Sequence, residues 1–371
     1  MTQGLLRRRQ TLNSPQGPVI RLNDREALNF CSNDYLGLAN HVALIDALKQ
    51  GAEKYGVGSG ASHMICGYSE AHVKLEERIA EFTGRQRALI FSTGYMANLA
   101  IVTSLLGRSD TVIGDRLNHA SMTDAAQLSR ARLKRYKHAD PQSLDNVLKK
   151  NAEGKTLVIT DGVFSMDGDI APLRELTTVC RAYHAWLAVD DAHGFGVLGD
   201  KGGGTLNYFD LGAQEVPVLM ATFGKALGTF GAFVAGDDEL IEMLMQTARS
   251  YIYTTASPPA LAWATLRAIE LIEQETWRRE YLHALILRFK AGARQLNLPI
   301  KASETPIQPL IIGDARRAVE ISNALLDKGI FISAIRPPTV PKDTSRLRIT
   351  LTAAHSEQQV DRLLETLAAV L

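Results

Sequence analysis

The sequence predicts an α/β fold, with a large domain built on a mainly parallel sheet and a small α+β domain after it. Short apolar runs alternate with stretches of helical spacing between residues 88 and 235. Strands joined by helices pair in parallel, because the chain must cross back over the sheet between them. Beyond residue 296 the pattern changes to three strand-like runs and two helical ones. This change indicates a separate C-terminal domain.

A short N-terminal arm precedes the large domain and is predicted to contain a hairpin. Two apolar runs, 19–22 and 27–30, flank the turn-prone pair Asn23 and Asp24. The predicted boundaries are 1–40 for the arm, 41–270 for the large domain and 271–371 for the small domain.

The elements of the two domains follow from hydrophobic period, and their bounds are listed in chain order. The predicted strands of the large domain are 88–91, 111–114, 157–160, 186–189, 218–221 and 232–235. Its predicted helices are 41–55, 69–83, 95–106, 121–129, 172–184 and a long helical stretch over 258–296. The small domain is predicted to contain strands 308–312, 330–335 and 346–351 and helices 315–328 and 356–370.

Composition excludes several function classes. The 371 residues carry 41 basic and 40 acidic side chains, a net charge of +1, which argues against a dedicated nucleic-acid surface. Cys31, Cys66 and Cys180 stand apart without a C-x-x-C motif, so neither a disulfide framework nor a zinc knuckle is expected. No stretch of about 18 apolar residues occurs and the N-terminus lacks an apolar signal core, which predicts a soluble cytoplasmic protein.

Reactive side chains follow two successive predicted strands. Asp190 and His193 come after one strand, and Thr222 and Lys225 come after the next. A lysine amine can form a Schiff base with an aldehyde, and a carboxylate can keep a pyridine nitrogen protonated. In isolation Asp190 is equally a buried hydrogen-bonded carboxylate, and Lys225 a surface lysine. Together at strand ends they predict a pyridoxal 5′-phosphate site.

Other residues at strand ends suit the same cofactor. Gly94 and Tyr95 open a helix, where free backbone amides can bind a phosphate. Ser165 and His119 follow two further strands. For His119 two interpretations stay open: an imidazole over the cofactor ring, or a side chain that caps a helix.

Two other site types are disfavoured. Residues 56–61 match G-x-G-x-x-[GA] but follow a helical stretch rather than a strand, so the dinucleotide pattern lacks its context. Asp190, Asp191 and His193 offer metal-ligating atoms. A metal there would leave Lys225 without a role, and no metal is expected.

Six motifs together resemble the α-oxoamine synthases, which are fold-type-I (aspartate aminotransferase-like) pyridoxal phosphate enzymes. These enzymes join an amino acid to an acyl thioester with loss of CO₂. The likeness extends over nearly the whole chain. Its motifs are NDYLGL at 33–38, FSTGY at 91–95, DRLNHAS at 115–121, GVFSMDG at 162–168, VDDAHG at 189–194 and TFGK at 222–225.

The resemblance implies a role for each matching residue. Lys225 bonds the cofactor aldehyde, Asp190 pairs with the ring nitrogen, Ser165 and His193 bond the phenolic oxygen, and His119 stacks on the ring. Gly94, Tyr95 and Thr222 hold the phosphate, together with Thr255 of a partner subunit, so a homodimer with shared sites is expected. Arg348 binds the amino acid carboxylate, and Arg7, Asn33, His119 and Thr339 lie near the substrate. His63 and Cys66 receive no role.

Within the family, residues 334–341 and 346–355 are most similar to members that use L-alanine and a pimeloyl thioester. The acyl group could be carried by coenzyme A or by acyl carrier protein. Three alternatives stay open at this stage. They are a relative that uses glycine or serine, an aminotransferase of the same fold type, and a non-catalytic protein on the same fold.

Overall fold

A computed structural model describes Leu6 and residues 9–151 and 154–371. The chain divides into two compact units. The small unit contains the described residues up to Asn40 together with Ser165–Asp169 and Glu275–Leu371. The large unit contains His41–Phe164 and Ile170–Gln274. None of the helices in the described parts of the chain is long and apolar enough to cross a membrane.

The described residues contain thirteen strands, thirteen α-helices and one π-helical turn at His63–Gly67. The strands are β1 Val19–Leu22, β2 Arg25–Asn29, β3 Arg87–Phe91, β4 Thr111–Asp115, β5 Arg132–Tyr136, β6 Thr156–Asp161, β7 Trp186–Asp190, β8 Val218–Thr222, β9 Ala232–Gly236, β10 Ile307–Gly313, β11 Ile330–Phe331, β12 Ala334–Ile335 and β13 Ser345–Thr350. The helices are α1 Val42–Tyr55, α2 Glu70–Thr83, α3 Gly94–Leu105, α4 Ala120–Ser129, α5 Pro141–Leu148, α6 Leu173–Ala182, α7 Gly204–Phe209, α8 Asp238–Thr247, α9 Arg249–Ile252, α10 Pro259–Gln274, α11 Trp277–Gln295, α12 Ala315–Asp327 and α13 Glu357–Val370.

The large unit is built on a seven-stranded sheet of order β3-β9-β8-β7-β6-β4-β5. Strands β8, β7, β6, β4 and β5 pair in parallel, whereas β9 runs antiparallel to both β3 and β8. Strand β3 therefore points the same way as β8, and the carboxyl ends of six strands meet at one edge of the sheet. The α/β fold with a mainly parallel sheet is confirmed.

Apolar packing on this sheet fixes helix α3. Most of its inward side chains are buried, among them Ala97, Ala100 and Ile101. They belong to a core cluster that also contains Phe91 of β3 and Met220 of β8. This packing holds the first turn of α3 directly after the carboxyl end of β3.

The small unit contains the predicted hairpin. Strands β1 and β2 pair antiparallel, and Asn23 and Asp24 turn the chain with positive φ angles of 44° and 66°, which asparagine and aspartate tolerate better than most residues. Strand β11 adds to β2 in parallel. A second sheet has the order β10-β13-β12, with antiparallel pairing throughout.

Helices α5, α7, α8 and α9 were not predicted, and three further details of the prediction were wrong. Strand β5 was not predicted, because its sequence RLKRY carries charges on an edge strand, where charge protects the edge from pairing. The stretch 258–296 is two helices, α10 and α11, interrupted at residues 275 and 276. The predicted strand 330–335 is β11 and β12, which belong to different sheets.

Candidate active site

The sheet brings the predicted strand-end residues of the large unit to one edge. Asp161 of β6 and Asp190 of β7 are direct partners in the parallel register. Thr222 of β8 and Phe91 of β3 both lie opposite Ala232 of β9. These strands therefore end in register, and the loops that follow them leave the same edge of the sheet. Ligands of open α/β sheets bind at such an edge.

Asp190 is 6% exposed and its carboxylate faces two N–H donors. Asn98 Nδ2 donates to Asp190 Oδ2 at 2.8 Å, and the Ala192 amide donates to Oδ1 at 3.0 Å. A buried carboxylate is stabilised by such bonds. They also fix the orientation of the carboxylate at the end of β7.

Asp161 lies beside Asp190 and is 4% exposed. Burial raises its pKa well above the ordinary value, and the charge of Asp190 raises it further. Two neighbouring buried carboxyl groups do not readily ionise together. Asp161 also accepts the His119 amide at 2.8 Å, and this bond opposes the rise in its pKa.

His119 caps helix α4, while its place over a cofactor ring stays a prediction. Its Nδ1 accepts the Ser121 amide at 3.3 Å and lies 2.7 Å from Ser121 Oγ. Asn98 Nδ2 also donates to Ser121 Oγ, at 2.9 Å. His119 and Asp190 are thus joined through Ser121 and Asn98.

Sequence reasoning missed the roles of Asn98, Ser121 and Asp161 in this network. Asn98 did carry a signal, because it is a polar residue on an otherwise apolar buried stretch of α3. A buried amide requires hydrogen-bond partners. The partners of the Asn98 amide are set by the strands and helices packed around it, so they could not be predicted from the local sequence.

The start of α3 and the end of β8 approach closely. A Cβ at Gly94 would lie 2.7 Å from Thr222 Cγ2, so a larger residue there would force the helix start or Thr222 to shift. Thr222 Oγ1 is buried and has no hydrogen-bond partner among the described residues. Thr93 caps α3 by accepting the Met96 amide at 3.2 Å. The orphaned hydroxyl and the helix N-terminus fit a bound phosphate.

Tyr95 follows Gly94 on α3 and is 43% exposed. Its hydroxyl donates to Asp124 of α4. This hydrogen bond raises the pKa of the Tyr95 phenol. The contact holds the ring at the N-terminus of α3.

Lys225 and His193 follow β8 and β7 in the large unit. Lys225 is half-buried, and its charge lowers the pKa values of Asp161 and Asp191, against the larger effect of burial. His193 is 7% exposed. Both side chains belong to the polar strand-end region that contains Asp190.

Asp191 has a structural environment unlike that of Asp190. It is fully buried and accepts the Thr205 amide at 2.7 Å. A Cβ at Gly162, Gly194 or Gly204 would lie within 2.6 Å of its carboxylate oxygens. Burial raises the pKa of Asp191 to about 8. The glycines that enclose this side chain make it a packing element of the loops after β6 and β7.

Thr255 is exposed in a segment that neighbouring residues hold in place. The Ala256 amide donates to Ala61 O at 2.9 Å, and Ser59 Oγ donates to Ser257 O at 2.6 Å. His72 Nε2 lies 2.8 Å from the same Ser257 oxygen. The segment around Thr255 is therefore ordered although Thr255 itself points outward.

The remaining predicted site residues that the structure describes belong to the small unit. Arg348 of β13 is 7% exposed and donates from Nε to Ser165 O at 2.5 Å. Its Nη1 donates to Asn33 Oδ1 at 3.0 Å, and its Nη2 reaches the Tyr35 hydroxyl at 3.4 Å. Thr339 is exposed. Arg7 lies outside the described residues.

Asp167 is a further charged residue of the small unit that sequence reasoning did not single out. Arg346 Nη1 donates to its Oδ1 at 2.6 Å, and Lys301 Nζ donates to the same atom at 2.8 Å. Burial alone would raise the pKa of Asp167. The hydrogen bond from Lys301 and the charge of Arg346 outweigh burial and hold the pKa below its usual value.

The comparisons with known proteins define the class. The family model described as aminotransferase class I and II matches residues 25–367. The chain belongs to this family, and its sheet with one antiparallel strand is the sheet of that fold.

Particular relatives narrow the class. The chain is 60% identical over 364 residues to the 8-amino-7-oxononanoate synthase of Ectopseudomonas mendocina, covering 98% of this chain and 93% of the relative. A solved 8-amino-7-oxononanoate synthase from Francisella tularensis is 32% identical, with a TM-score of 0.81 over 92% of this chain and 97% of that one. A serine palmitoyltransferase from S. paucimobilis with bound PLP and myriocin is 30% identical, with a TM-score of 0.94 over 98% and 92%. The resemblance found in the sequence is confirmed.

Proposed function

We propose that this chain condenses L-alanine with a pimeloyl thioester to give 8-amino-7-oxononanoate, CO₂ and the free thiol carrier, a step of biotin biosynthesis. The observation that carries the proposal is 60% identity to a synthase of that name across 98% of the chain. The strand-end residues Lys225, Asp190 and Thr222 of the large unit support the chemistry. The reaction is a decarboxylative acyl transfer.

Pyridoxal 5′-phosphate is the cofactor we assign to the large unit. When bound, it supplies an aldehyde that bonds amines and a ring that accepts negative charge from a substrate carbon. The orphaned Thr222 hydroxyl and the Gly94 turn at the start of α3 fit its phosphate. Tyr95 and Thr255 complete the proposed phosphate site. Among the described residues no cluster of three His, Cys, Asp or Glu is placed to hold a metal.

The polar residues at the strand ends would bind the cofactor ring and aldehyde and transfer the substrate proton. Asp190, oriented by Asn98, would keep the proton on the pyridine nitrogen. His193 and Ser165 would donate to the phenolic oxygen. His119, fixed by Asp161 and Ser121, would cover the face of the ring. The Lys225 amine would bond the aldehyde and later remove the α-proton of L-alanine.

Arg348 would bind the alanine carboxylate in the small unit. Its guanidinium is held by Ser165 O and Asn33, which leaves further N–H groups for a carboxylate. A bidentate contact orients the bonds of the α-carbon for loss of the proton and then of CO₂. Asn33, Thr339 and Arg7 are the other residues we place near the substrates.

A homodimer with shared sites is the assembly we propose. Large apolar side chains are exposed on the loops beside Thr255, with Val57 at 83%, Ile65 at 79% and Tyr253 at 71%. Exposed apolar side chains grouped in this way favour a protein interface. A second copy covering them would bring Thr255 to a neighbouring phosphate site.

The acyl donor is pimeloyl-coenzyme A or pimeloyl-acyl carrier protein, and both deliver the same thioester carbon. We place the enzyme in the cytoplasm. Cys31, Cys66 and Cys180 form no disulfide in the described structure, which fits a reducing compartment.

A second candidate is a relative that uses serine or glycine. Serine palmitoyltransferases share the fold with TM-scores of 0.94. Their identity of 30% is half that of the Ectopseudomonas mendocina 8-amino-7-oxononanoate synthase, and for that reason we rank this function second.

The test is product formation by the purified holoenzyme. We expect L-alanine and pimeloyl-coenzyme A to give CO₂, free thiol and a product with the mass of 8-amino-7-oxononanoate. Omission of either substrate is the control. Release of thiol without a carbon–carbon product, or transamination of L-alanine with a 2-oxo acid, would contradict the proposal.

A further inference from the structure

Residues 165–169 form a loop segment that one strand of the small unit holds at three residues, among them Met166, whose carbonyl accepts from Arg346 Nη1 at 3.4 Å. Arg348 Nε donates to Ser165 O at 2.5 Å, and Arg346 Nη1 donates to Asp167 Oδ1 at 2.6 Å. The two arginines are two residues apart on β13, so their side chains leave the same face of the strand. That face of the strand therefore carries all three contacts to the segment.

The ion pair of Asp167 and Arg346 is the strongest of these attachments. Both side chains are nearly buried, with 11% and 6% exposed. Removing one partner of a buried pair leaves the other charge uncompensated, which is strongly destabilising. Lys301 contacts the same carboxylate oxygen, but its side chain is 42% exposed. The buried charge of Arg346 therefore needs the Asp167 carboxylate, whereas the charge of Lys301 can be solvated by water.

The other end of the segment is anchored as well. Gly168 O accepts hydrogen bonds from the hydroxyls of Ser303 and Thr305, both at 2.9 Å. A Cβ at Gly168 would lie 2.4 Å from Ile307 O, so the backbone lies directly against β10. With this end fixed, the position of Ser165 depends on what holds Asp167.

The contact at Ser165 links the segment to the guanidinium of Arg348. Nε is bonded to Ser165 O, and Nη1 is bonded to Asn33. A guanidinium is planar, so a shift of the oxygen at Nε turns the whole group. Bidentate binding of a carboxylate depends on that orientation.

We propose that Asp167 is a positioning residue, whose ion pair with Arg346 holds Ser165 and thereby fixes the Arg348 guanidinium for the amino acid carboxylate. The inference rests on the proposed function, which supplies that carboxylate. The same ion pair would also position the Ser165 hydroxyl, which we propose to bond the cofactor.

The test compares the Asp167→Asn variant with wild type as holoenzymes. L-alanine is titrated without thioester while the cofactor absorbance is followed. We expect the apparent Kd for L-alanine to rise about tenfold, and its KM likewise, while the KM for the pimeloyl thioester stays unchanged. Hydrogen exchange of the amides of residues 165–168 should become faster. The matched control, Lys301→Gln, removes the exposed partner of the same oxygen and should leave all these quantities at wild-type values.

A second variant separates positioning from folding. Asp167→Leu combined with Arg346→Met replaces the pair by apolar side chains, a change that folded proteins often tolerate. We expect it to melt near the wild-type temperature and still to bind L-alanine weakly. Wild-type alanine affinity and wild-type exchange at 165–168 in both variants would overturn the proposal. If the wild-type holoenzyme does not respond to L-alanine, the proposed function fails, and the exchange comparison still decides the role of Asp167.

Discussion

At the scale of single residues, three buried aspartates differ because their partners differ. Asp190 lies at the end of β7 and accepts hydrogen bonds from Asn98 Nδ2 and from the Ala192 amide. Asp161 is its partner on the neighbouring strand, with a pKa raised by burial and by the charge of Asp190. Asp191 is enclosed by glycines, and burial raises its pKa to about 8. The sequence DD at 190–191 therefore contains one residue that we propose for chemistry and one that packs against glycines.

The Asp190→Asn substitution should separate cofactor binding from catalysis. An amide can still accept the bond from Asn98, but it does not hold a proton on a pyridine nitrogen. We expect the cofactor to bind and kcat to fall at least about a hundredfold. Cofactor absorbance and steady-state kinetics measure the two quantities. A near-normal kcat would mean that Asp190 has only a structural role.

The Asp191→Asn substitution should change the pH dependence of stability. In the unfolded chain this carboxyl has an ordinary pKa of about 4, against about 8 when folded. Between these values only the folded state holds the proton, so stability falls as pH rises. An asparagine keeps the bond to the Thr205 amide without titrating. Melting temperatures of the apoprotein from pH 5 to 8 should fall more steeply for wild type than for the variant, and parallel curves would contradict this account.

At the scale of elements, strand order explains why the residues predicted at strand ends of the large unit lie along one edge of the sheet. Apolar runs that end in reactive residues mark β7 and β8, and their parallel pairing brings Asp190 and Thr222 to one edge. The network of Asn98, Ser121 and Asp161 could not be predicted, because it joins α3, α4 and β6 across the sheet. Strand β5 was missed for a different reason, since its charges hide the strand pattern.

The N-terminus of α3 gives a prediction at this scale. In Gly94→Ala the new methyl would meet Thr222 Cγ2 at 2.7 Å, so either the helix start or β8 must shift. We expect the protein to fold and its Kd for pyridoxal phosphate to rise about tenfold or more. The control is Gly107→Ala beyond the other end of α3, where the nearest atom lies at 3.9 Å. Equal cofactor affinity in the two variants would show that the close contact between Gly94 and Thr222 does not determine phosphate binding.

At the scale of the whole molecule, the proposed dimer gives a complementation test. Chains carrying Lys225→Ala and chains carrying Thr255→Ala are mixed and allowed to exchange. If Thr255 serves the neighbouring site, each hybrid contains one site with both lesions and one site with neither. We expect activity above the mean of the two parents. Activity at that mean, or a fully active monomer, would contradict the shared site.

Substrate choice is the part of the account that the sequence predicted through resemblance alone. The loop at 334–341, with Pro337 and Pro338, carried that resemblance, and the strand predicted at 330–335 proved to be two short strands of different sheets. Local patterns predict the cofactor chemistry well, because it depends on a few side chains at strand ends. They predict the acyl chain poorly, because its contacts depend on which loops the fold brings together.

The most direct measurement of the central claim is kcat/KM for paired substrates of the wild-type holoenzyme. The pairs are L-alanine with a pimeloyl thioester, glycine with acetyl- or succinyl-coenzyme A, and L-serine with a long-chain acyl-coenzyme A. We predict that the alanine pair exceeds the others by at least about a hundredfold, a difference of roughly 2.7 kcal/mol in transition-state binding. A higher kcat/KM for the glycine or the serine pair would contradict the assigned reaction while leaving the family intact.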